Sequence, residues 1–102
     1  MKEYELYLPL TYNDGSPIES AKLVRIRERL LEQFGSLTFI PQERVGFWKS
    51  GRVTYQDRIV VYRIVCENVR AARRFFRRIK ADLKIELQQK EIFIVERDAK
   101  LL

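Results

Sequence analysis

The stretch from Asn68 to Leu87, NVRAARRFFRRIKADLKIEL, contains no glycine or proline and keeps a helical period throughout. On a 3.6-residue repeat, Val69, Ala72, Phe75, Phe76, Ile79, Leu83 and Leu87 fall on one side. Arg70, Arg73, Arg74, Arg77, Lys80 and Lys84 gather on the other, with Arg78 at its edge. Asn68 is placed to cap the helix, because its side-chain oxygen can accept from an orphan amide of the first turn. An amphipathic helix of this length must lay its apolar stripe on another layer, which constrains the rest of the chain. It also concentrates charge. Val69 to Lys84 holds seven cations and one anion, Asp82, so this segment carries a balance equal to the +6 of the whole chain.

At 102 residues the chain is long enough for one domain with a real core, and residues 1–102 are read as that single domain. A sequence pI near 9.7 favours acidic partners such as nucleic acid, anionic membrane or an acidic protein. The absence of histidine removes the commonest metal ligand and the commonest general base at neutral pH. One cysteine, Cys66, excludes an internal disulfide and a cysteine-rich zinc site. No glycine-rich phosphate loop is present, so no cofactor is expected and a non-enzymatic role is favoured. The N-terminus, MKEYELYLPL, lacks the pattern of a signal peptide, and no apolar run reaches a bilayer span. A soluble, cytoplasmic protein with no membrane partner is expected.

Taken in order, Lys2 to Leu10 alternates and predicts a half-buried strand, with Pro9 marking a frayed end or a sheet edge. Ser16-Pro17-Ile18-Glu19 matches a capping box and predicts a first helix from about Pro17 to Phe34, stopped at Gly35. Its expected stripe is Leu23, Ile26, Leu30, Leu31 and Phe34. Short strands are expected at Leu37–Ile40 and Val45–Lys49, with Val53–Tyr55 continuing the meander. Ile59–Cys66 is the strongest strand signal, β-branched and largely apolar on both faces. The long helix follows, then a last strand at Glu91–Glu96 and a loose tail over residues 97–102.

This order of elements is that of an α+β, ferredoxin-like split βαβ sandwich, an antiparallel sheet with two helices on one face. Two helices cover one face only. The apolar second face of Ile59–Cys66 therefore predicts a homodimer, sheet against sheet, with ligand binding on that face as the alternative. At Asp14-Gly15-Ser16-Pro17, Gly46-Phe47-Trp48 and Glu86-Leu87 the chain resembles small bacterial families of unknown function, and its element order resembles ferredoxin-like domains of the dimeric α+β barrel type. The resemblance implies a fold and a dimer and transfers no catalytic residue. Haem-degrading and monooxygenase members of that type often rely on a histidine, which this chain lacks.

Two sets of candidate site residues follow. Arg70, Arg73, Arg74, Arg77, Lys80 and Lys84 form an anion-binding candidate suited to phosphate contact, against the alternative of a solvated face. Tyr62, Arg63 and Trp48 form a candidate interface or pocket on the sheet face. Arg63 is an unusual residue for an apolar strand: it either points to the sheet's far face or pairs with an acid, from Asp57 or Glu67 flanking the strand or Glu3 or Glu5 on a neighbouring one. A buried pair at a dimer interface is the structural reading, and substrate-carboxylate binding is the functional one. Cys66 reads as a small core residue without a base to activate it. The expected function is a homodimeric binding or assembly module whose basic helix faces an anionic partner. The alternatives are a nucleic-acid-binding protein using that helix on phosphates, and a small-molecule enzyme or sensor with a pocket on the sheet face.

Overall fold

A computed structural model describes the backbone of all 102 residues and the side chains of all but residues 41–46, 48, 50, 53 and 55–57. Strand β1 (Lys2–Pro9) leads through a turn into helix α1 (Ser20–Phe34). Strands β2 (Thr38–Ser50) and β3 (Val53–Cys66) form a long hairpin, followed by helix α2 (Val69–Glu86) and strand β4 (Ile94–Asp98). The sheet order is β2-β3-β1-β4, with every neighbouring pair antiparallel. This is the expected α+β, ferredoxin-like arrangement, with the first and last strands side by side.

Strand alternation divides the sheet into two faces. Tyr4, Leu6 and Leu8 of β1 and Val60, Tyr62 and Ile64 of β3 share one buried cluster with Ile26 and Leu30 of α1 and Ala72, Phe76, Ile79 and Leu83 of α2. Both helices therefore cover the same face. Tyr4 stacks on Phe76 at 4.7 Å between centroids, and Phe34 stacks on the same ring at 5.4 Å, so aromatic contacts tie sheet, α1 and α2 together. Arg29 of α1 joins Asp82 of α2 at 2.8 Å on the outer side of the helix pair. Leu31, expected in the α1 stripe, is 40% exposed, and Ile18 is buried ahead of the helix instead.

The capping box is the expectation that fails. Asp14 accepts from both the amide and the hydroxyl of Ser16, which closes a local turn and takes Ser16 out of a cap. Thr11 bridges Pro17, and the Ile18 amide donates to the Leu10 carbonyl, so residues 10–18 form a small hairpin. Glu19 is then claimed by the Tyr12 hydroxyl and Lys22, and α1 starts at Ser20. Its end is as expected. Gly35 sits at φ +79° and donates to the Leu31 carbonyl at 2.7 Å.

Of the three short strands expected between Leu37 and Tyr55, the first two merge into β2 and the third runs on into Ile59–Cys66 as β3, giving one hairpin of two long strands. The ladder shifts register between Ile40 and Arg44, the stretch that contains Pro41. A proline is tolerated there because β2 is an edge strand and a bulge leaves an unpaired position. Gly51, at φ +61°, supplies the turn between Ser50 and Val53. β1, by contrast, is interior, and Pro9 lies beyond its ladder with β4, which spans Lys2 to Leu6. β4 runs later than expected and takes in Arg97 and Asp98, which the expectation of a loose tail had left outside the sheet.

Candidate functional site

Helix α2 forms as its sequence dictates. The Asn68 side chain accepts from the Ala71 amide at 3.1 Å, and Ala72, Phe76, Ile79 and Leu83 are buried. The buried set leaves Arg70, Arg73, Arg74 and Arg77 exposed, with Lys80 and Lys84 half-buried. The candidate row then divides by its partners. Arg73 makes a bidentate pair with Glu96 of β4, its Nε at 2.9 Å from Oε2 and its Nη2 at 2.6 Å from Oε1. Lys80 and Lys84 converge on Glu91, at 3.0 and 3.5 Å. Arg70, Arg74 and Arg77 form no ion pair with any described residue. Three guanidinium groups at a spacing of i, i+4 and i+7 are thus presented to solvent along one helix face.

Charge distribution follows these pairings. Hydrogen bonds from Arg73 hold the Glu96 carboxyl below the ordinary carboxylate value, and those from Lys80 do the same to Glu91. Both acids stay ionised beside the helix and neutralise its β4 edge. The far edge keeps its charge.

Between α2 and β4 lies a cleft of about 200 Å³ lined by Tyr4, Arg73, Phe76, Arg77, Lys80, Ile94 and Glu96. The stacked rings of Tyr4 and Phe76 show the cleft their edges, and Arg77 opens on it without an acid of its own among the described residues. The Tyr4 side chain is 2% exposed, and its hydroxyl lies beside the Arg73–Glu96 pair yet is aligned with neither for a hydrogen bond. Burial, and then the nearby Glu96 charge, push that phenol above its ordinary value, so it stays protonated.

The sheet-face candidates separate. Tyr62 is 6% exposed among the core residues under the helices, where Phe39 leans on its ring at 5.4 Å. Arg63 is its neighbour in a strand and so projects from the opposite, open face. The two cannot line one site. Trp48 lies on β2, and its side chain falls outside the described residues, as does that of Asp57. Arg63 meets the acids expected for it on β1, Glu3 at 3.0 Å and Glu5 at 3.6 Å. Glu5 also accepts from Arg97 at 2.6 Å and from the Tyr7 hydroxyl at 3.0 Å. The open face therefore has an ionic centre, with Val65 and Phe93 exposed and Val61 buried on it. Cys66 packs at the core margin, and burial raises its thiol, in keeping with a core role.

Tyr4, Phe76, Ile94 and Glu96 were not among the expected site residues. Their signal lay in the fold: a ferredoxin-like order puts the last strand against the first, and the register pairs Tyr4 with Glu96. Among the described residues, no group of three or more acids or cysteines is placed to hold a metal ion, and no helix is long and apolar enough to cross a membrane.

No family model and no curated protein matches this chain. Among solved structures, it is similar to a phage SAM lyase in complex with S-methyl-5'-thioadenosine. The two superpose with a TM-score of 0.74 over 95% of this chain and 80% of the phage chain, at 10% sequence identity. At that identity the likeness concerns the α+β fold alone.

Proposed function

We propose that the chain is a binding module whose α2 helix docks an anionic partner, and that a second copy covers the open sheet face. The observation that carries the first half is the unpaired row Arg70, Arg74 and Arg77. Nearby acids on β4 and before it engage Arg73, Lys80 and Lys84, yet these three guanidiniums stay uncompensated on an exposed face. Like charges this close repel one another, and an anionic partner relieves that repulsion. Nucleic acid is the partner to try first, because guanidinium groups suit phosphate oxygens and a helix face can follow a phosphate backbone. An acidic protein is the other candidate.

The test compares two variants of equal net charge. Arg70→Gln/Arg74→Gln/Arg77→Gln is expected to lose binding to a DNA duplex at low salt. Arg25→Gln/Arg27→Gln/Lys100→Gln removes three exposed cations elsewhere and is expected to keep most of it. Equal losses in both would reduce the row to bulk charge.

A small-molecule enzyme or sensor is the second reading. The similar phage structure holds a small molecule on a chain of this architecture, and the α2–β4 cleft, rather than the open sheet face, is where this chain has a pocket with an idle buried hydroxyl.

A further inference from the structure

We propose that the cleft between α2 and β4 is a binding site for a small organic anion with a ring or other flat apolar body. This deepens the reading of α2 as an anion-facing helix, at a place distinct from Arg70 and Arg74.

Three independent features meet there. The first is charge: Arg73, Arg77 and Lys80 line the cleft against one carboxylate, Glu96. Arg73 is already satisfied by Glu96, and Lys80 by Glu91, so Arg77 is the cation whose donors are available to a ligand. Its fork of N–H groups matches a carboxylate or a phosphate monoester. The second is an apolar lining made by Ile94 and by the edges of the Tyr4 and Phe76 rings, whose faces are stacked on each other, so that a ligand's apolar body packs against ring edges and Ile94. The third is the Tyr4 hydroxyl. Buried beside the Arg73–Glu96 pair and aligned with neither, its O–H is a donor without a well-placed acceptor. A ligand oxygen at the inner end of the cleft would accept from it.

Size limits the enclosed part of the ligand. The cleft has a volume of about 200 Å³ and is open to solvent on one side. That accommodates a single ring bearing one anionic group, with any larger remainder of the ligand left in solvent. The Arg73–Glu96 pair fixes the wall of the cleft beside the Tyr4 hydroxyl, because a bidentate pair holds both side chains in one orientation. Net positive charge at the rim disfavours cationic ligands, although Glu96 can accept from a neutral N–H or O–H on the ligand's edge.

The experiment titrates the full chain with phenyl phosphate, benzoate and inorganic phosphate by calorimetry, or follows amide shifts of α2 and β4. At least one ring-bearing anion should bind about tenfold tighter than inorganic phosphate, reflecting the apolar lining. Arg77→Gln should weaken that ligand by about tenfold, as loss of a charge-assisted pair would. Because Arg77 is exposed, this variant keeps the fold and its loss reads on binding. Tyr4→Phe should weaken the ligand several-fold while leaving the DNA affinity unchanged. Arg70→Gln/Arg74→Gln should do the reverse, so the failure of one reading is separable from the failure of the other. Binding no tighter than that of inorganic phosphate, binding lost only with Arg70 and Arg74, or no binding at all would each overturn the proposal.

Discussion

Glu96 shows how one carboxylate organises its surroundings. It stands beside Tyr4 in the β1–β4 ladder, receives both donor edges of Arg73 and lies 3.9 Å from Lys2. Its folded pKa lies below the ordinary value, chiefly through the Arg73 hydrogen bonds. The sign follows from linkage: the pair contributes its full stability above the unfolded carboxylate value of about 4.3 and loses it as pH falls through the lower folded value. Glu96→Gln should therefore be less stable than the parent at neutral pH, with the gap closing as the pH drops below about 4. Urea unfolding at several pH values checks this, and a gap that stays constant into acid would refute it. At this scale the sequence was uneven. Asn68 read correctly as a cap because a single residue and the following helix decide it. Ser16 misled, since Asp14, two residues earlier, offers its amide and hydroxyl a closer acceptor than a helix cap would. For Arg63 the sequence leaves open a far-face position or an acid partner; the register of β1 on β3 gives both, the open face and Glu3 and Glu5.

Among the elements, α2 does most to define both the core and the charge. Its capping bond is isolated from tertiary contacts, so Asn68→Ala should cost about 1 kcal/mol in urea unfolding without altering anion binding. An unchanged midpoint would mean that packing alone fixes the helix start. α2 was legible almost to the residue because hydrophobic period, cap and charge agree. The β2–β3 hairpin was less so. Pro41 and Gly46 interrupt the strand pattern and suggested separate short pieces, whereas edge position and a register shift let one strand run through. β4 was placed too early because Ile92, buried before the strand begins, carries a strand-like apolar signal. The cleft was hidden for a related reason. It joins residues more than 60 positions apart, and no local pattern marks Tyr4 or Glu96 as neighbours of α2.

For the whole molecule, the distribution of surfaces supports the proposed assembly. The helices seal one face of the sheet, and the open face carries acids (Glu3, Glu5) beside cations (Arg63, Arg97) with Phe93 58% exposed nearby. Such a surface can complement its own copy about a two-fold axis, acid to base. Sedimentation should find a dimer at micromolar concentration, and Phe93→Asp should shift it to monomer; a parent that stays monomeric there rejects this part of the account. The open sheet face proposed for the dimer and the basic helix face are on opposite sides of the sheet, so both copies of such a dimer would keep α2 open to a partner. The central claim is that the unpaired arginines of α2 engage a phosphate-bearing partner. Its most direct test is the salt dependence of DNA affinity for the parent and the Arg70→Gln/Arg74→Gln/Arg77→Gln variant. The account predicts steep weakening with salt in the parent and a slope of log affinity against log salt that is shallower by about 3 in the variant, one unit for each phosphate contact removed. Identical slopes, or a parent that does not bind at low salt, would contradict it.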